Sequence, residues 1–246
     1  AYSKMVEHAT ASPGDVTFTR DWYRDFLEDL QSRDREFKSF AQPPEVGEVY
    51  LRHDVDLSLQ SALEMARIEA DLGVESTYFL LLTSPLYNPF EAESREIVRA
   101  LTTLGHDVGL HFNTHVHWSE PPGTEALERV VASERAALET IVPTTDAVSF
   151  HRPPSWVLDR SFDDFSSTYA PELFSEIDYL ADSTHRWRDN PPRLTETEPV
   201  QILTHPGLWG EEDADFDSRV EEAITAACRG ADRKTTAEYL SKRGAE

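Results

Sequence analysis

The chain has 246 residues, of which 46 are Asp or Glu and 23 are Lys or Arg, giving a formal net charge of −23. Such a charge repels nucleic acid and anionic membrane surfaces, so neither is an expected partner. Cys228 is the single cysteine, which excludes an internal disulfide framework and any thiolate metal cluster. Lysine is confined to Lys4, Lys38, Lys234 and Lys242, and an acidic, lysine-poor surface is what a protein kept soluble in concentrated salt presents. The sequence has no run of about 18 apolar residues, and residues 1–15 lack the charged-then-apolar profile of a signal peptide. A soluble, cytoplasmic protein is expected. Because the chain starts at Ala1 rather than Met, removal of a leader stays an open question.

Helix-like and strand-like stretches alternate along the chain. Residues 18–32 place Trp22, Phe26 and Leu30 at helical spacing; Pro43, Pro44 and Gly47 then break the chain before an extended run over 48–56. Ser58 is placed to cap a helix whose stripe is Leu59, Leu63, Ala66 and Ala70 and which Gly73 closes, and 76–82 reads as a buried strand. The same alternation predicts a helix over 90–104 ending at Gly105, a strand over 106–112, a helix over 124–142 before Pro143, and a strand over 147–151. In the less regular second half, 178–181 and 200–204 are expected strands and 216–228 a final helix. Strands alternating with helices imply a parallel sheet, and about seven such units imply an α/β fold of the distorted (β/α)7 barrel type, TIM-like. One domain is expected over 1–246, with 1–45 as a helical extension packed on the barrel.

In a parallel barrel, chemistry collects at the carboxyl ends of the strands. There the sequence carries Arg52-His53-Asp54-Val55-Asp56, His111 with His115 four residues on, His151-Arg152, Asp182 and His205. Strand alternation sends Arg52, Asp54 and Asp56 to one face. Two carboxylates so close need a cation or the arginine between or beside them. His111 and His115 with one carboxylate would make a three-ligand site open to water, as hydrolytic Zn²⁺ requires; on spacing alone, a plain loop cluster of histidines is an equal reading. His53 and His106 point to the opposite strand face and read as structural, and His151 and His185 as further polar groups.

The succession His53-Asp54-Val55-Asp56, Gly105-His106-Asp107-Val108-Gly109-Leu110-His111 with His115, Arg152-Pro153-Pro154 and Leu203-Thr204-His205 resembles the polysaccharide deacetylases of carbohydrate esterase family 4, over about residues 48–209. The resemblance implies a metal-dependent hydrolase, with one divalent ion, Zn²⁺ first, that removes N-acetyl groups from an N-acylated glycan or glycan precursor. It implies Asp54 as catalytic base, Arg152 as the arginine that orients it, His205 as general acid with Asp182 as its acidic partner, and Asp56, His111 and His115 as metal ligands. The pattern also departs from the family: Val55 separates the aspartates, so Asp54 and Asp56 could exchange roles. Ser155 replaces an aromatic residue, and no acid stands beside Trp187. Trp156, Trp187 and Trp209 either supply sugar-stacking faces or cap the core. Two other readings stand beside the deacetylase: a metal-free C–N hydrolase resembling allantoinase, and a non-catalytic carbohydrate- or partner-binding protein.

Overall fold

The structure is a computed structural model and describes residues 15–195 and 197–240, so the first fourteen residues of the expected extension lie outside the described residues. Thr19 caps α1 (Arg20–Ser32) by accepting from the Trp22 N–H, and α1 turns Trp22, Tyr23, Phe26, Leu27 and Leu30 inward. Then follow β1 (Glu36–Phe37), β2 (Glu48–Val55), α2 (Leu59–Leu72), β3 (Thr77–Leu80), α3 (Ala92–Thr103), β4 (Asp107–Phe112), α4 (Thr124–Leu138) and β5 (Ala147–Phe150). The second half holds β6 (Ser166–Ser167), α5 (Pro171–Phe174), β7 (Asp178–Ala181), β8 (Val200–Thr204) and α6 (Phe216–Thr235). Ser58 caps α2 and Gly73 closes it at φ 69°, a left-handed position that favours glycine.

Every strand pairing is parallel, in the order β6-β5-β4-β3-β2-β8-β7, with β1 beside β2. The sheet curls until its two ends meet through side chains rather than a ladder. Tyr169, just past β6, stands 6.4 Å from Tyr179 of β7, and Phe174 packs edge-on to both rings. From β8, Gln201 reaches across the interior to donate to the Thr168 carbonyl. The result is the distorted (β/α)7-type barrel expected, open between β6 and β7.

Three local expectations shift. The α4 helix stops at Leu138, because Pro143 bars helix from the residue before it and the chain turns first. The α6 helix runs past Cys228 to Thr235. The serine pair of β6 carries no apolar alternation that could announce a strand.

Alternation on β2 divides the interior from the outer layer. Tyr50, Arg52 and Asp54 point into the barrel, while Val49, Leu51 and Val55 pack against the helices. The outward His53 meets Glu69 of α2, a carboxylate with no solvent exposure. Tyr23 donates to its Oε1 at 2.6 Å, and Ser76 and Tyr78 donate to Oε2 at 2.5 and 2.9 Å. His53 Nε2 lies 2.9 Å from Oε1 but off the line of its N–H, an ion contact rather than a hydrogen bond. His106, just before β4, approaches to 3.6 Å and bonds the Ala66 carbonyl through Nε2. Burial raises the Glu69 pKa, but His53 and the surrounding donors outweigh it and hold the group below its ordinary value. This network rivets α1, α2 and the sheet together directly behind Asp54.

Candidate active site

At the carboxyl ends of the strands, Arg52 and Asp54 form the foundation. Arg52 is fully buried and grips Asp54 with two bonds, Nε to Oδ1 at 2.9 Å and a terminal nitrogen to Oδ2 at 2.8 Å. The same guanidinium donates to Gln201, Ser149 and the Tyr169 hydroxyl. Desolvation works against the Asp54 charge, but the Arg52 guanidinium overcomes it, so its pKa is lowered and it stays a carboxylate.

Ser149 of β5 carries this order to His111. It gives its single proton to Asp54 Oδ1 at 2.8 Å and accepts from Arg52 at 2.7 Å. Toward His111 Nδ1, 2.7 Å away, it can then only accept. The proton of His111 therefore sits on Nδ1, and Nε2 presents its lone pair to the cavity. There Nε2 stands 3.2 Å from His151 Nδ1 and 3.2 Å from Asp56 Oδ1, and the last two are 3.1 Å apart. Among the described residues this trio is the group of side chains placed to hold a metal. Bonds of about 2.0–2.2 Å to one tetrahedral ion put neighbouring donors roughly 3.3–3.6 Å apart. Two nitrogens and one carboxylate oxygen at nearly that spacing fit such an ion.

Across the cavity stands His205, whose Nε2 is 4.0 Å from Asp56 Oδ2. Its Nδ1 bonds Asp182 Oδ1 at 2.6 Å, while Asp182 Oδ2 accepts from the His205 backbone N–H and from Trp209 Nε1, each at 2.9 Å. Burial disfavours the imidazolium, yet Asp182, with Asp56 and Asp54 behind it, raises the His205 pKa to about 9. The ring is protonated at neutral pH with one N–H directed at the cavity.

No protein-family model and no curated protein matches the chain. Solved structures similar to it include the chitin deacetylase of the fungal pathogen Colletotrichum lindemuthianum, at 14% identity over 76% of this chain and 84% of that one, TM-score 0.42. A peptidoglycan deacetylase from Bacillus subtilis aligns at 15% identity over 75% and 83%, TM-score 0.41. A family 4 acetyl xylan esterase from Clostridium thermocellum, solved with a cobalt ion, aligns at 15% identity over 76% and 84%, TM-score 0.38. The likeness is to carbohydrate deacetylases and esterases.

Asp54, Asp56, His111, His151 and His205 thus line one cavity, of about 510 Å³, with Asp182 buried behind His205. His115 does not join them. The chain after β4 enters a 3-10 turn over Thr114–Val116, and His115 is exposed there with Nε2 turned to the Arg152 carbonyl at 3.0 Å. Its place is filled by His151, which lies two residues beyond Ser149, the residue paired with His111 in the ladder, and so on the same face. Arg152 lines the cavity but is exposed and forms no ion pair with Asp54; the arginine paired with Asp54 is Arg52. The tryptophans do not face the cavity. Trp187 and Trp209 are buried against Trp22, and Trp156 packs beneath β5. The cavity's aromatic faces come from Phe150, Tyr169, Phe174, Tyr179 and Phe216. A wider cavity of about 1180 Å³ opens at the opposite, amino-terminal ends of β4 to β6, where no group of metal-ligating side chains converges.

Ser149 escaped the sequence reading altogether, since a serine in an apolar strand signals nothing by itself. Alternation on β5 is the signal that could have found it, together with His151.

Proposed function

We propose that this chain is a divalent-metal hydrolase that removes N-acetyl groups from a glycan or glycan precursor. One observation carries the reading: the donor triangle of Asp56, His111 and His151 lies between a carboxylate held charged, Asp54, and an imidazole held protonated, His205. A bound divalent ion, Zn²⁺ first for a nitrogen- and oxygen-donor set, supplies polarisation of the acyl carbonyl and a more acidic water. Asp54 takes the proton from the attacking water, and Arg52 fixes the direction in which its oxygens face. His205 hands its Nε2 proton to the departing sugar nitrogen, while Asp182 keeps the ring in the tautomer and orientation that transfer requires. Phe174, Tyr179 and Phe216 exclude water and offer flat apolar faces to a sugar ring.

The test is release of acetate from a panel of neutral and acidic N-acetylated sugars, with p-nitrophenyl acetate as a small ester. Metal-loaded protein is expected to liberate acetate from at least one of them. Failure on every member, with the metal bound, would overturn the reading.

The acidic surface supports a further part of the proposal, an enzyme working in a salt-rich cytoplasm. Among the described residues no helix is long and apolar enough to cross a membrane. Screening relieves the self-repulsion of a charge of −23, so the melting temperature is expected to rise between low and molar KCl. A flat or falling melting temperature would count against salt adaptation.

A further inference from the structure

Two arginines at the cavity are left over once the proposed reaction has used its residues. Arg152 and Arg186 both line the space that holds Asp54, Asp56, His111 and His205. Both are exposed, and among the described residues neither pairs with a carboxylate. In a chain with twice as many acidic as basic side chains, 46 against 23, carboxylate partners are plentiful. Unpaired arginines also occur on helix surfaces, as at Arg67, Arg99 and Arg129, but those face only solvent. Arg152 and Arg186 face one cavity.

Both stand in or beside left-handed backbone. Arg152 sits at φ 46°, immediately before Pro153, where an extended conformation is the ordinary choice. Arg186 follows Thr184 at φ 54° and His185 at φ 59°. Its two neighbours are buried anchors: His185 stacks on Phe18 at 3.7 Å, and Trp187 packs between Phe26 and Trp209. Held on both sides by buried rings, Arg186 has only the outward direction available. Left-handed backbone at non-glycine residues is strained and collects at functional sites.

We infer that Arg152 and Arg186 bind an anionic group, a carboxylate or phosphate, on the acylated substrate; this rests on the hydrolase reading of the same cavity. A neutral glycan offers two free guanidinium groups only hydroxyl and carbonyl acceptors, whereas a carboxylate or phosphate meets their charge as well. An anionic one, approaching Asp54 and Asp56 in a chain of charge −23, needs positive charge to offset them. Arginine suits the task because its planar fork pairs two-to-two with carboxylate or phosphate oxygens.

The test compares binding of product-like sugars by calorimetry: glucosamine, glucosamine 6-phosphate and galactosaminuronic acid bearing a free 2-amino group. Turnover of p-nitrophenyl acetate is followed in parallel. Wild type is expected to bind at least one anionic sugar about tenfold or more tightly than glucosamine. In Arg152→Gln and Arg186→Gln that preference falls several-fold, and in the double variant it disappears, while Arg129→Gln on the surface of α4 keeps it. Preference for the phosphate or for the carboxylate sugar identifies the source of the anion. Equal binding of charged and neutral sugars by wild type, or a preference that survives the double substitution, overturns the inference. The ester separates the two readings: ester turnover without anion preference rejects this inference alone, and arginine-dependent anion binding without ester turnover rejects the hydrolase alone.

Discussion

Replacing Glu69 by alanine is expected to destabilise the protein by about 3–5 kcal/mol, the cost of removing one partner from a buried ionic network. The substitution strips Tyr23, Ser76 and Tyr78 of their common acceptor and takes away the carboxylate beside His53 and His106, all of them buried. For a chain of this length the loss corresponds to a fall of roughly 6–20 °C in melting temperature. Glu69→Gln keeps the shape but turns an amide N–H₂ toward groups that themselves donate, so it too is destabilised. The pH dependence has a definite sign. Because the folded-state pKa of Glu69 lies below the ordinary value of 4.5, its stabilisation is complete above about pH 4.5 and is lost as the pH falls through the lowered value. The gap in melting temperature between wild type and Glu69→Gln should therefore narrow on acidification below that point. A gap that widens in acid would show that the carboxylate is not held ionised in the fold.

Replacing Asp54 by asparagine is expected to lower kcat by about two to four orders of magnitude, the range over which a positioned proton acceptor contributes. The loss has a second strand. With an amide at position 54, Ser149 no longer has a carboxylate to receive its proton and is free to donate to His111 Nδ1 instead. That exchange moves the histidine proton to Nε2, the atom facing Asp56 and His151, and metal affinity drops by about 10–100-fold. Measured with Zn²⁺ in excess and occupancy verified, the remaining loss in kcat reports the proton acceptor alone. An unchanged kcat in the loaded variant would remove Asp54 from the role of base.

The two halves of the site differed in how far they could be read from residues. The inward direction of Arg52 and Asp54, and the outward direction of His53, follow from the period-two alternation of one strand, and the apolar neighbours Val49, Leu51 and Val55 fix which face is which. The HxxxH spacing fixes the approach of two imidazoles on a helix, but not across the end of a strand. Here His111 belongs to β4 and His115 to the turn after it, so the four-residue interval straddles the end of a strand. His151 reaches His111 through the register of β4 on β5, a non-local pairing that no single stretch of sequence records. The arginines present the same problem. Arg52 and Arg152 both stand beside acidic or proline-rich motifs, and what separates them is strand direction at one and a left-handed φ at the other. The barrel itself was legible because it is written in repeated local signals: Ser58 capping α2, Gly73 ending it, and alternating apolar stripes. The short β6 and the strained Ser183–Arg188 segment exist only because the curled sheet and the buried His185 and Trp187 hold them in place.

The metal content of purified protein, after incubation with Zn²⁺ and removal of the excess, tests whether Asp56, His111 and His151 hold the ion. Wild type and His115→Ala are expected to retain about one equivalent, while His111→Ala and His151→Ala, verified as folded, retain little. Loss of the ion in His115→Ala with retention in His151→Ala would contradict the account, and so would a wild-type protein that takes up no metal.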